Sequence, residues 1–564
     1  MKASDALARY LSAHGFDHCY EVAGGMITHL LDSMARLGET RIISMHHEQA
    51  AAFAAEGMAR QSRGRRMALA MGTSGPGATN LLTGVGSCWF DSVPCLFITG
   101  QVNTTELKGD SGIRQSGFQE LDIVPMARTV TKYATQVTSS QELLKEVHTA
   151  VSLAHSGRKG PVLIDLPNDV QRGEIPDDEM KEWLDRPLDV AGTLPLLDAD
   201  KNRIIAACRT ARRPLFCFGG GAAWAEGLQE FVERLEQARI PYVSTLLGQQ
   251  QVVSGDHYLN MIGTYGNRAA NWGVQNCDLL LVLGSRLDIR QTGVQVADFA
   301  RNAQIVRVDI DENELRSKPW VEQSIHAEVQ PFFASIDPIG LCPAMESQWP
   351  EEAVEARLRN ERDEYDLKTL SPFTVFSLIN ECAKDRAMEF VADVGNNQMW
   401  CAHSLRLKKG QAAHYCGGMG AMGFALPTAI GVAISSGKKV LCITGDGGLQ
   451  INIQELDTLK RLKLDLVVLV LNNLSLGMVK NFQDMYFEGR NQSTKVGYSV
   501  PDFVKVSRAY GIDAVRTRSK SGLRKALLRG LESTGPFLIE VMMEDATDCR
   551  PRLAFGSKLD EQFP

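Results

Sequence analysis

Apolar runs and segments of helical periodicity alternate along the whole chain. The clearest pair closes the last third. Lys439–Thr444 is a continuous apolar, β-branched run that stops at Gly-Asp-Gly, the pattern of a strand buried on both faces. After Gly448, residues Leu449, Ile453, Leu456, Leu459 and Leu462 recur at helical spacing and predict one amphipathic helix. Leu466–Leu471 is a second buried strand and ends on Asn472-Asn473. The same alternation predicts strands at Tyr20, Ile42, Cys95–Thr99, Pro214–Phe218, Asp278–Ser285 and Ile305–Asp309. The Ala-rich stretch Ala52–Arg60 reads as a helix. Strand and helix alternating throughout is the signature of α/β domains with doubly wound parallel sheets.

Two stretches rich in Pro and charge interrupt the pattern, Gly173–Asp198 and Pro343–Leu370, the second containing Glu361-Arg-Asp-Glu364. Read as linkers, they give domains near 1–175, 190–340 and 365–545, with a C-terminal tail at 546–564. A length of 564 residues also exceeds what one core supports and suits about three domains.

Composition narrows the class. The chain is 44% hydrophobic and 23% charged, as soluble globular enzymes are. A net charge of -7 with no basic block argues against a nucleic-acid partner. No apolar run reaches the ~20 residues of a membrane span, and the N-terminus reads as a charged amphipathic helix, not a secretory signal. The twelve cysteines include no C-x-x-C pair, and Cys217 and Cys442 fall inside apolar strands. They read as buried free thiols of a cytoplasmic protein.

The candidate chemistry lies where strands end. Open α/β sheets bind ligands outside the carboxyl ends of their strands. Gly447 and Gly448 would let a phosphate approach the backbone at a helix start. Asp446 and Asn473 offer hard oxygens suited to Mg²⁺. Glu48 also follows a strand and opens a helix. It is either a helix-start residue favouring the dipole, or a carboxyl walled in and able to keep a proton.

These motifs, in their order, resemble the thiamine diphosphate (ThDP) enzymes. Gly-Asp-Gly, twenty-four residues, then Asn-Asn matches their signature. The resemblance implies that Asp446, the Asn473 side chain and the Ser475 carbonyl hold Mg²⁺, with Gly447 and Gly448 on the diphosphate. His47-Glu48-Gln49-Ala50-Ala51 is similar to the context of the family's activating glutamate, which assigns Glu48 to the aminopyrimidine. Thr73-Ser-Gly-Pro-Gly-Ala-Thr-Asn80 resembles the pyruvate-processing branch, and Gly24, Thr73 and Asn80 become cofactor residues. Phe118-Gln-Glu-Leu-Asp-Ile-Val124 resembles acetolactate synthase (acetohydroxyacid synthase) large subunits, where Phe118 and Gln119 would border substrate together with Gly25. Val394–Trp400 and Cys416–Phe424 resemble that family's diphosphate and pyrimidine runs, which assigns Gln398, Met399, Gly418, Met419 and Met422. The position of Met478 is that of the family's residue that bends the cofactor.

Gly284–Gly293 resembles the family's FAD-binding run. It implies Arg286, Asp288 and Arg290 at a flavin, with Gly220, Thr245, Leu246 and Asp309 as further contacts. The chain departs from the family in four places. Ile289 replaces an Asp, Asn397 replaces a His, and the Gln101–Phe118 loop is longer than usual. Phe482 stands where the family often carries a Trp.

The resemblance implies decarboxylation of pyruvate and transfer of the two-carbon unit to a carbonyl acceptor. It also implies a homodimer or homotetramer with active sites at the subunit interface. The altered loop and Phe482 leave open a specialised carboligase of the yersiniose-biosynthesis type, acting on a nucleotide-linked keto-sugar. A pyruvate oxidase, a dione hydrolase and a non-catalytic paralogue are the other readings.

Overall fold

The structure, a computed structural model, describes residues 1–360, 369–544 and 547–562. Three six-stranded parallel sheets carry it. The chain divides into two compact units. One comprises Met1–Gly192, Cys416–Gly437 and Gln450–Leu466, and the other Thr193–Tyr415, Lys438–Leu449 and Val467–Pro564.

In the first unit the strand order is Arg41–Ser44, His18–Glu21, Ala68–Gly72, Cys95–Gln101, Val162–Pro167, Tyr133–Gln136. One face packs Leu69, Met71, Leu96, Ile98 and Ile164 against the helices Ala3–Ala13 and Leu143–His155. Elsewhere in the unit three helices meet, Glu48–Gln61, Pro76–Asp91 and Ala425–Ser436. Their Ala- and Gly-rich sequences have a steric reason. A methyl at Gly57 would lie 2.3 Å from the Thr428 carbonyl oxygen, and one at Gly431 would lie 1.9 Å from that of Ala54. The helices Glu48–Gln61 and Ala425–Ser436 thus touch backbone to backbone, which only the smallest residues permit.

The second unit holds the other two sheets. The middle one runs Gln323–His326, Gln304–Asp309, Leu279–Leu283, Pro214–Phe218, Tyr242–Ser244, Tyr258–Met261. Counted in chain order within the sheet this is 6-5-4-1-2-3, the dinucleotide-fold order read from its other edge. The last sheet runs Ala412–Tyr415, Met388–Ala392, Lys439–Gly445, Leu466–Asn472, Phe537–Met542, Asp513–Thr517. Its order is 2-1-3-4-6-5, the same as in the first sheet.

Three expectations need correction. The helix expected from Leu449 to Leu462 is two, Asp446–Ile451 and Glu455–Arg461, separated by a turn. The cause is Asn452, which is 1% exposed and whose amide leaves the helix to donate to the Gly423 carbonyl at 2.9 Å and Gln49 Oε1 at 3.2 Å. The expected linker Gly173–Asp198 contains the helix Asp177–Asp185, whose Met180 is buried in the first core. Its start also pairs with the N-terminus, Ile175 N donating to the Met1 carbonyl at 2.8 Å. The expected linker Pro343–Leu370 contains the helix Trp349–Asn360. Trp349 is fully buried there and donates from Nε1 to the Pro214 carbonyl at 2.9 Å, so this segment seals the middle sheet. Glu361–Glu364, Ala546 and the last two residues lie outside the described residues. The rest of the tail starts against the core of the last sheet, where Cys549 is buried, and goes on over the middle domain, where Leu553 and Leu559 are buried and Leu553 N donates to the Thr264 carbonyl at 2.9 Å.

Among the described residues no helix is long and apolar enough to cross a membrane. All twelve cysteines are free, and all but Cys382 are buried.

Candidate active site

In the second unit, the strands Lys439–Gly445 and Leu466–Asn472 are neighbours and deliver Asp446, Asn473 and Ser475 to one edge. All three are buried, at 2%, 5% and 3% exposure. Burial pushes the Asp446 carboxyl up to about 7, and the Gly447, Ser475 and Leu474 amides and the Tyr498 side chain pull against that shift. Asp446 Oδ1 accepts from Gly447 N at 2.9 Å. The two asparagines divide the work. Asn472 is structural, its Nδ2 donating to Glu540 Oε1 at 2.8 Å and its Oδ1 accepting from Leu474 N at 3.1 Å. Leu474 takes the left-handed conformation, φ 55°, a strain that persists only where the surroundings impose it. Asn473 donates Nδ2 to the Thr547 carbonyl at 3.1 Å, and Asn396 donates to the same oxygen at 3.2 Å. Those bonds take up the nitrogen end of Asn473, leaving its oxygen end as the donor suited to a hard cation.

The glycines at this edge are sterically required. A methyl at Gly448 would lie 2.9 Å from Asp393 Cγ and from Thr444 Oγ1. One at Gly477 would lie 2.5 Å from Asn396 Nδ2 and 2.9 Å from Asn473 Nδ2. Gln398 and Met399 are buried in the helix Asn396–Ser404, and Met399 belongs to the apolar core of its sheet. Asn397, which replaces the family's His, donates Nδ2 to the Asp393 carbonyl at 2.8 Å. Met478 is partly buried against the same core. A carboxylate, an amide oxygen and a backbone carbonyl beside glycines fit a magnesium diphosphate.

In the first unit the carboxyl edge gathers a second set. Glu48 opens the helix Glu48–Gln61, capped by His47 Nδ1, which accepts from Gln49 N at 3.0 Å. Glu48 Oε2 accepts from Asn80 Nδ2 at 2.9 Å. A methyl at Gly77 would lie 3.4 Å from Glu48 Oε1, so the turn before Asn80 leaves that oxygen room. Gly24 abuts Thr73, with 2.4 Å between a methyl there and Thr73 Cβ, and Gly25 is exposed. Gln119 sits at φ 63° against Gly75, and Phe118 beside it is 79% exposed. The structure thus joins Gly24 to Thr73, Glu48 to Asn80 and Gln119 to Gly75, three pairs far apart in sequence. Gly418 and Met419 are exposed and Met422 half-buried on the loop that this unit takes from Cys416–Gly437.

The long loop after Gln101 is a built structure. Glu120 accepts from the amides of Lys108 and Ser116, both at 2.6 Å, and Gly117 at 3.3 Å. Burial works against its charge, but these amides outweigh it and hold the carboxyl below its usual value. Asp169 secures the other foot, accepting from Thr104 N at 2.9 Å and Thr104 Oγ1 at 2.5 Å.

The middle sheet presents the third set. Gly219–Gly221 close against Gly284, where a methyl at Gly219 would lie 2.1 Å from the Gly284 carbonyl oxygen. Thr245 is buried and Leu246 half-buried after the strand Tyr242–Ser244. Asp309 ends its strand and pairs with Arg307 at 3.4 Å. Arg286 pairs with Asp288 at 3.4 Å, Asp288 caps the short helix Ile289–Thr292, and Arg290 lies 5.9 Å from the Tyr265 ring centroid. Glycines after the first strand and an acid after another fit a dinucleotide.

Thr547, Asn396 and Tyr498 were invisible as site residues in the sequence. Asn396 lies within the Val394–Trp400 run but is not singled out by it, no motif announces Thr547 or Tyr498, and only the fold brings the three to Asp446 and Asn473.

Comparison with known proteins matches three models of thiamine pyrophosphate enzymes: the N-terminal TPP binding domain over 1–126, the central domain over 202–336 and the C-terminal TPP binding domain over 393–541. Full-length relatives agree. A probable acetolactate synthase large subunit of Methanocaldococcus jannaschii is 32% identical over 99% of this chain and 94% of its own length. The acetolactate synthase isozyme 2 large subunit of Escherichia coli is 32% identical over 100% and 99%. Acetolactate synthase 1, chloroplastic, of Nicotiana tabacum is 32% identical over 98% and 84%.

Proposed function

The chain belongs to the acetolactate synthase large-subunit family of thiamine pyrophosphate enzymes, and we propose that it makes acetolactate by joining two pyruvates. It is a ThDP-dependent enzyme that decarboxylates pyruvate and transfers the two-carbon hydroxyethyl unit to a carbonyl acceptor. The observation that carries the reading is the pair of strand-end constellations, Asp446–Asn473–Ser475 with its glycines and Glu48–Asn80 with Thr73. When bound, ThDP supplies the electron sink that lets a 2-keto acid lose CO₂.

The chain's own residues do the rest. Asp446, Asn473 and Ser475 hold Mg²⁺, and Gly447 and Gly448 leave room for phosphate oxygens. Glu48 holds or delivers the proton that activates the cofactor, and Asn80 fixes one carboxyl oxygen of Glu48 for that task. Gln119, Phe118 and Gly25 border the substrates. Gly24, Thr73, Gln398, Met399, Gly418, Met419, Met422 and Met478 line or support the cofactor. Gly220, Thr245, Leu246, Arg286, Asp288, Arg290 and Asp309 would hold FAD in the middle domain. The working enzyme is a cytoplasmic homodimer or homotetramer, with Glu48 of one protomer serving the cofactor of its partner.

A second reading rests on the built loop anchored by Glu120 and Asp169 and on Phe482, which is 55% exposed. They favour a larger acceptor, such as a nucleotide-linked keto-sugar. The test is pyruvate consumption with ThDP and Mg²⁺, products identified by mass spectrometry. Acetolactate at about 1 s⁻¹ or faster supports the synthase. Slow consumption that accelerates only with an added ketone supports the second reading, and absence of CO₂ release refutes both.

A further inference from the structure

The first unit hides a charged network that the reaction does not use directly. Glu56 and Arg60 lie on the helix that Glu48 opens, and Asp91 ends the helix that carries Asn80. The side chains of all three are inaccessible to solvent. Arg60 donates Nε to Glu56 Oε1 at 2.9 Å and Nη2 to Asp91 Oδ2 at 2.5 Å. The guanidinium also stands 5.5 Å from the Phe424 ring centroid. Ser87 completes the Glu56 side, its Oγ donating to Oε1 at 3.0 Å.

The other side of Asp91 faces backbone. Its Oδ2 accepts from Gly417 N at 2.8 Å and its Oδ1 from Gly418 N at 2.8 Å. One carboxylate therefore grips two successive amides of the glycine loop that precedes Met419. Glycines lack side chains to anchor them, so at Gly417 and Gly418 the loop is held through its backbone. Burying three charges is costly unless each is paired and hydrogen-bonded, and a retained buried ion pair is poor evidence of stability alone. A role in fixing geometry accounts for its arrangement better.

We propose that Asp91 is a positioning residue for the cofactor loop, holding Gly417 and Gly418 in register with the helices that start at Glu48 and carry Asn80, with the Arg60 guanidinium pairing its Oδ2 from the other side. The inference rests on the proposed ThDP role of the Gly418–Met422 loop. Asp91 touches no reacting atom. It acts through the backbone it holds.

The test is Asp91→Asn, which keeps the shape but replaces one acceptor oxygen by a donor facing a donor. Hydrogen exchange at Gly417 and Gly418, measured on cofactor-free protein, should accelerate at least tenfold. ThDP affinity, titrated with Mg²⁺ by intrinsic fluorescence, should weaken at least tenfold. Leu144→Ala, a buried truncation on the helix Leu143–His155, serves as the matched control and should lower the Tm with ThDP affinity unchanged. Two results overturn the proposal: Asp91→Asn binding ThDP as tightly as the parent, or both variants losing affinity in proportion to their loss of Tm. If the parent itself binds no ThDP, the proposed function falls, while the exchange measurement still decides whether Asp91 holds the loop.

Discussion

The first and last sheets share the strand order 2-1-3-4-6-5 and even a buried acid at the matching register, yet they carry opposite chemistry. Asp165 lies on the sixth strand of one, paired with Gln136 on the fifth. Glu540 lies on the sixth strand of the other, paired with Arg516 on the fifth. Asp165 accepts from neutral groups, Thr99 at 2.7 Å, Gln136 at 2.7 Å and Gln101 at 3.1 Å. Burial pushes its carboxyl up to about 6, against those hydrogen bonds. Glu540 instead meets the Arg516 guanidinium at 2.7 Å as well as Asn472. At the ends of the third strands, one sheet offers Gly72-Thr-Ser-Gly75 and the other Gly445-Asp-Gly-Gly448. One scaffold thus serves twice with different loops at its edges, and on the proposed reading those loops decide whether an edge handles a proton or a metal diphosphate.

The sharpest way to break this comparison is at the two acids of the loops. Asp446→Ala should abolish turnover and weaken Mg²⁺-dependent ThDP binding by at least ~100-fold, since a buried ligand set loses its only charge. Glu48→Gln should cost roughly 10²–10⁴-fold in carboligation, the range of a lost acid–base group, and leave ThDP binding in place. Titration of both variants beside steady-state rates checks the split. Equal loss of binding in both would mean that the two edges do not divide the labour.

The buried acids sharpen it next. Asp165 has a folded pKa raised from 3.8 to about 6, so its ionisation opposes folding. The penalty is absent below about pH 4, grows as pH rises and is complete above the folded pKa, where the shift corresponds to at most about 3 kcal/mol. Asp165→Asn should therefore flatten the fall in stability between pH 4 and 7, measured by denaturant unfolding at several pH values. Glu540→Gln should go the other way and destabilise by about 1–3 kcal/mol, because it strips the charge facing Arg516. An effect of the same size is expected of Gly448→Ala, about 1–3 kcal/mol in stability, with weaker ThDP binding, because the methyl meets Asp393 and Thr444 at 2.9 Å. Unchanged cofactor affinity in that variant would remove Gly448 from the phosphate edge.

Much of this was legible along the chain. Buried strands such as Pro214–Phe218 and Leu466–Asn472 announce themselves because parallel strands are apolar on both faces, and the motif residues fall at their ends because turns there need Gly, Asp and Asn. Periodicity failed at Leu449–Leu462, since the spacing of leucines records which side is buried but not whether the backbone stays helical between them. It failed at Trp349–Asn360 for the converse reason: charges mark a solvent face, and the buried Trp349 that roots the helix looks like an isolated residue.

What the sequence determined by itself was local: the alternation of elements, the strand-end acids and glycines, and the resemblance they carry. What only the tertiary structure decided was partnership. Asn473 meets the Thr547 carbonyl 74 residues away, Glu48 meets Asn80, and Asp91 reaches Gly417 across 326 positions. Short-range periodicity cannot encode such pairs, because they depend on which strands become neighbours, and that is settled by the burial of whole sheets rather than by any one segment.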